Sequence, residues 1–208
     1  MENAQKIKLV DGFKIRNTLD PEFGIFHHQK FYIPEGEGWL DYHYQEELDF
    51  LKRVEEIAPP AGSTTLTEWR EYIKKTICLP PPVPEFILPR ENREGQTLVM
   101  INGRIVRQYL DPEFILGGHD LVYPYILKGE IWLDANLDAA EIPYIFRHEV
   151  VERQYMAQGK SYDIAHDYAT AAEKDLRRTQ LKTRYPLDDD YPWRDRTNQE
   201  LANEYYVK

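Results

Sequence analysis

Two histidines and three glutamates in residues 142–173, IPYIFRHEVVERQYMAQGKSYDIAHDYATAAE, have a spacing that lets them meet. His148 and Glu152 are four residues apart, so on a helix they share one face, a turn apart. Glu149 sits beside them, and His166 and Glu173 occupy a second helical stretch. If the chain reverses at Gly159-Lys160, Glu152 comes level with His166, and His148 with Glu173. Carboxylates in a protein interior are costly unless paired, protonated or bound to a cation. A transition-metal ion satisfies imidazoles and carboxylates together. The candidate metal ligands are therefore His148, Glu152, His166 and Glu173, with Glu149 as the candidate catalytic base. The competing structural reading is a buried network of these groups with Arg147 or Arg153.

The elements that must carry these residues are two helices joined by a very short turn. Asp138 and Glu141 have the spacing of a capping box, which starts the first helix at about Ala139. Gly159 stops it, and Ser161 caps the second, with Asp163 in its first turn. Ile145, Glu149, Glu152 and Met156 form one stripe, and Tyr162, His166, Ala169, Glu173 and Leu176 the other. A purely structural hairpin would carry Leu or Ile where these stripes carry His and Glu.

With 208 residues, 42% of them hydrophobic, the chain can bury a core in one or two domains. A net charge of −10 argues against phosphate backbones and anionic membranes as partners, so neither nucleic acid nor membrane is expected. The single cysteine, Cys78, allows no internal disulfide. MENAQKIKLVDGF lacks a signal-peptide core, and no stretch approaches 18 apolar residues. The expected location is the cytoplasm, or a virion if the protein is phage-encoded.

An internal repeat organises the rest. Asp11 to Phe23 matches Asn102 to Phe114 without a gap, sharing a Gly, an Arg and the run Leu-Asp-Pro-Glu-Phe. A histidine follows in each, His27 and His119, and then Trp39-Leu40-Asp41 and Trp132-Leu133-Asp134. The expected fold class is α+β: two degenerate repeats of β-hairpin or strand plus helical hairpin. Residues 8–78 form the scaffold or binding copy, 79–96 a Pro-rich linker, 97–178 the chemical copy and 179–208 an acidic, Tyr-rich tail. Asn102-Gly103 reads as a type I′ turn between strands Thr97–Ile101 and Arg104–Tyr109. Gly117-Gly118-His119 reads as a tight loop, with His119 a possible fourth ligand or substrate contact. Tyr162 is a candidate oxyanion donor, and Cys78 an ordinary thiol.

His148-Glu149-x-x-Glu152 resembles the HExxH signature of zincin metallopeptidases, with Glu in place of the second His. In that signature the first and last residues bind zinc and the Glu polarises water. A gluzincin-like third ligand would come from the next helix, as His166 or Glu173. The resemblance implies a zincin-like second copy, Zn2+ as cofactor, a peptide or protein substrate, and Glu130 to Asp134 as the substrate-aligning edge. The stretch also resembles often phage-associated sequences of the form HELxERxLMxxGxSYxxAH. The function expected is a zinc-dependent, peptidase-like hydrolase. The alternative is a non-catalytic assembly protein, such as a virion component on a zincin-like scaffold, with assembly through the Tyr-rich tail. Phosphohydrolases with a His-Asp doublet and pyrophosphohydrolases with paired acidic motifs match less well.

Overall fold

The computed structural model of the chain describes residues 6–57, 66–182 and 197–207. β1 (Lys6–Val10) runs into Asp11, whose side chain accepts the Lys14 N–H and starts α1 (Gly12–Thr18). β2 (Phe26–His27) and β3 (Glu37–Asp41) complete a sheet ordered β1-β3-β2, with β1 parallel and β2 antiparallel to β3. A 3-10 segment, Tyr42–Glu47, leads into α2 (Leu48–Glu55), and α3 (Leu66–Ile77) ends this half.

The second half opens with β4 (Ile87–Arg93) and β5 (Gln96–Ile101), followed by α4 (Gly103–Tyr109), β6 (Gly117–His119) and β7 (Glu130–Asp134). Its sheet is ordered β4-β5-β7-β6, with β5 parallel and β6 antiparallel to β7. α5 (Ile142–Ala157) and α6 (Tyr162–Leu181) form the helical hairpin, and α7 (Asn198–Ala202) closes the described chain. The architecture is thus mixed α+β with two small sheets. None of the described helices is long and apolar enough to cross a membrane.

The two sheets pair in matching registers. Val10 lies opposite Asp41 and Ile101 opposite Asp134; Phe26 lies opposite Leu40 and Gly117 opposite Leu133. His27 faces Trp39 and Gly118 faces Trp132. By this register, His28 rather than His27 stands where His119 does.

Side chains at the ends of these strands cross between the halves. Buried Arg16 donates to Asp41 (3.0 Å) in its own half and to Glu141 in the other. Buried Arg107 bonds Asp134 (2.8 Å) in its own half and Glu47 (2.6 and 2.8 Å) in the other. Both also donate to backbone carbonyls, of Phe23 and Gly24 or of Phe114 and Ile115. Gly12 and Gly103 make room for this, since a Cβ there would stand about 2 Å from the Asp41 or Asp134 carboxylate. A central apolar cluster joins Leu40 and Leu51 to Leu133, Ile145 and Phe146, and separate clusters surround Trp39 and Trp132.

Several local expectations give way here. Asn102 does not occupy a hairpin turn: its side chain accepts the Ile105 N–H and caps a helix over 103–109, so Arg104–Tyr109 is no strand. The left-handed hairpin turn is instead Glu94-Gly95, so 87–96 of the expected linker is sheet. Gly117-Gly118-His119 is a strand, and β7 lies between β5 and β6, which leaves it no free edge to align a substrate. The terminal segment, expected to dock on a partner or back on the core, packs Tyr205 and Tyr206 against Trp39. The exposed loop expected at 187–195 lies outside the described residues.

Candidate metal centre

α5 begins three residues later than the capping-box spacing predicts. Asp138 accepts from Ala140 N–H, but Glu141 is drawn into the Arg16 and Arg177 ion pairs and leaves no side-chain cap. Pro143 then sits in the first turn, where its missing N–H has no helical partner to lose. At the far end Gly159 N–H bonds Met156 C=O and Lys160 N–H bonds Tyr155 C=O, a Schellman stop. The chain reverses at once into α6. Ala165 and Ala169, both fully buried, let the two helices approach closely.

The reversal brings the expected residues together. His166 Nδ1 lies 2.8 Å from Glu152 Oε2, His148 Nε2 lies 3.2 Å from His166 Nδ1, and His148 Nε2 lies 3.6 Å from Glu152 Oε2. This buried group could hold a metal ion. Arg147 is exposed and Arg153 is turned to Asp120 at 2.5 Å, so neither fills the space between the histidines.

Glu173, expected either as a ligand or as support behind one, takes the supporting place. Its Oε2 meets His148 on the other nitrogen, Nδ1, at 3.0 Å. It therefore stands on the far side of the ring from the three converging donors and orients His148, as carboxylates behind metal-bound imidazoles do. Arg177 holds it in turn, at 2.7 Å and 2.9 Å.

His119 is fully buried, and its role follows from its hydrogen bonds. Its Nδ1 accepts the Leu121 N–H at 3.2 Å, so the ring proton is on Nε2, which donates to Glu152 Oε1 at 3.1 Å. A nitrogen that carries a proton has no lone pair for an ion. His119 with Glu149 and Glu152 is the second acidic group able in outline to hold a cation, but in this bonding state His119 steers Glu152 instead of ligating.

Charge is strongly coupled across the site. Burial pushes the Glu152 carboxyl up, but donation from His119, His148 and His166 holds it well below the usual carboxylate range. Burial opposes charge on His148, yet hydrogen bonds to Glu152 and Glu173 push it up to about 10. Glu149 is buried and has no hydrogen-bond partner among the described residues. Burial, reinforced by Glu152, pushes its carboxyl up to about 8. A Cβ on Gly117 would come within 3.0 Å of its Oε1, so the glycine keeps that space open.

Glu149, His148 and His166 face a cleft of about 560 Å³ lined by both halves. Phe26 and Glu55 line one side, and Tyr162 lies over the His166 ring at 5.5 Å. Among the described residues, a group able to hold a metal ion lines only one side of the cleft. Seven residues after Glu141 comes His148, whereas seven after Glu47 comes Val54, and α2 ends at Glu55. Sequence reasoning missed Arg177, Arg16 and Glu141. The signal was the arginine shared by both repeat copies, at 16 and 107. No protein-family model, curated protein or solved structure matches this chain.

Proposed function

We propose that the chain is a zinc-dependent hydrolase with peptidase-like chemistry, built from two degenerate copies of one unit. The observation that carries the reading is the convergence of His148 Nε2, Glu152 Oε2 and His166 Nδ1 at 2.8–3.6 Å, beside an unpartnered buried carboxylate. Tetrahedral zinc with bonds of about 2.0–2.2 Å sets its donors about 3.3–3.6 Å apart, so small side-chain shifts suffice to admit it. Two imidazoles and a carboxylate match the ligand types of catalytic zinc, which leave one position open. Zinc when bound supplies Lewis acidity toward water and a substrate carbonyl.

The chain's own residues do the rest. Glu149, free of other partners, accepts the proton of the attacking water and passes it to the leaving group. His119 and Glu173 hold Glu152 and His148 in place. The cleft between the halves excludes bulk water from one side and admits an extended peptide-sized substrate. Matching strand registers and the reciprocal Arg16 and Arg107 contacts support the two-copy reading, with the second, zincin-like copy chemical and the first a wall of the cleft.

The test pairs metal content with hydrolysis of a mixed peptide pool. Wild type purifies with about one zinc per chain; His148→Ala loses it; Glu149→Gln keeps it and loses hydrolysis. A metal-free wild type that cannot be loaded refutes the reading. One observation favours the assembly alternative: Glu152 is satisfied by His119 and His166 without any ion. In that case Glu149→Gln changes nothing but stability.

A further inference from the structure

We propose that Arg177, Glu141 and Arg16 are positioning residues for His148, so that the N-terminal half sets the geometry of a ligand in the C-terminal half. The inference rests on the metal-centre reading above. It begins at the nitrogen of His148 that faces away from the converging donors. There His148 Nδ1 bonds Glu173 Oε2 at 3.0 Å, and Glu173 Oε1 accepts from Arg177 Nε at 2.9 Å. Arg177 Nη1 reaches Glu141 Oε1 at 2.7 Å and Asn17 Oδ1 at 2.6 Å. The other oxygen of Glu141 is held by Arg16, whose Nη2 reaches Asp41 at 3.0 Å.

Every charged member from Glu173 to Asp41 is at least 96% buried, so none of these contacts is relaxed by water. Two guanidinium groups face three carboxylates, and an imidazole closes each end, His43 at Asp41 (2.8 Å) and His148 at Glu173 (3.0 Å). Glu173, itself anchored by Arg177, engages Nδ1 and leaves Nε2 as the nitrogen directed at Glu152 and His166. Asn17 and Arg16 both belong to α1, so a helix of the first half fixes one end of this chain and a metal ligand of the second half the other.

The same molecule holds the control. Arg107 makes the reciprocal contacts between the halves, but Glu47 gives both its oxygens to Arg107 and hands nothing on. The residue in the place of His148 on that side is Val54. Arg107 therefore joins the halves as Arg16 does without reaching the metal group, and loss of general stability is separable from loss of ligand positioning.

The experiment titrates Co2+ into the full-length, metal-free protein and follows both affinity and the visible spectrum, with urea midpoints for each variant. Wild type is compared with Arg16→Met, Arg177→Met, Arg177→Lys and Arg107→Met. Loss of an outer-shell partner typically weakens metal affinity about 10- to 100-fold. That loss, with an altered spectrum, is expected for Arg16→Met and Arg177→Met, with partial recovery in Arg177→Lys. Arg107→Met is expected to lose comparable urea resistance while holding Co2+ within about 2-fold of wild type.

In the metal-free state, 15N shifts of His148 should move in Arg177→Met and stay fixed in Arg107→Met. If Arg177→Met does not fold, Glu141→Gln replaces it. Equal loss of affinity in Arg107→Met and Arg16→Met overturns the proposal, as does unchanged affinity in Arg16→Met. A wild type that binds no Co2+ is a different result: it removes the metal-centre reading and this inference with it.

Discussion

Replacing Arg107 by Met tests whether the two halves fold as one unit. The guanidinium is 1% exposed, donates two hydrogen bonds to Glu47 and two to the carbonyls of Phe114 and Ile115, and forms an ion pair with Asp134. It also lies 5.2 Å from the ring of Tyr44. Met fills much of the same volume but leaves Glu47 and Asp134 buried without their cation. Removing one partner of a buried ion pair costs about 3–5 kcal/mol, so Arg107→Met should lose that much. Glu47→Gln added to Arg107→Met should recover about 1–3 kcal/mol of the summed single losses, because the two residues share one contact. The assay is urea unfolding followed by tryptophan fluorescence and far-UV circular dichroism, since Trp39 and Trp132 lie one in each half. Coincident single transitions are expected throughout. A loss below about 1 kcal/mol, or two separate transitions in wild type, refutes the coupling.

Gly117→Ala would put a Cβ 2.7 Å from Leu133 Cδ2 and 3.0 Å from Glu149 Oε1. It should cost about 1–3 kcal/mol by overpacking and reduce hydrolysis far more than zinc affinity; equal losses of both would contradict the role given to Glu149. His27, whose pKa burial lowers to about 4, is neutral in the folded chain and binds its proton more readily once unfolded. Stability should therefore fall as pH drops from about 6.5 to about 4, by at most about 3 kcal/mol, and His27→Phe should flatten that part of the urea-midpoint profile. Burial pushes the Cys78 thiol up to about 11. Its thiolate population at neutral pH is roughly 100-fold below that of an ordinary thiol, so alkylation should be slow and should leave any hydrolysis intact.

The helical hairpin was legible because its signals are local. Gly159 ends one helix, four residues join it to the next, and side-chain spacing within each helix fixes which groups meet. Asn102-Gly103 was misread because Asn serves equally as a turn residue or a helix cap. The choice between them is made by Asp134, which lies over Gly103 and accepts its N–H at 3.3 Å from 31 residues away. His119 could be seen as a histidine near the site, but its role as donor depends on the Leu121 N–H, which only the folded loop brings to Nδ1. Glu173 was level with His148 as expected; which nitrogen it would meet depended on the rotation of the ring. The arginine common to the two matching stretches, at 16 and 107, carried the information about the joint between the halves, but its partners Glu47 and Glu141 precede helices whose sequences do not match.

β4 bears on how the folded chain avoids sticking to its neighbours. It is the outer strand of its sheet, and a bare strand of that kind offers N–H and C=O groups to any passing chain. Along this one, Pro89 removes a donor and the register slips between Ile87 and Arg90. The exposed Arg90 and Glu91 add charge. A second molecule approaching side by side would meet an interrupted ladder and charged side chains rather than a template. The corresponding edge of β1 is handled differently, by the protein's own later residues: Tyr206 bridges to Val10, and Val207 donates to Leu9. Of the four outer strands, β4 and β1 are thus closed to growth of the sheet, one by composition and the other by occupation.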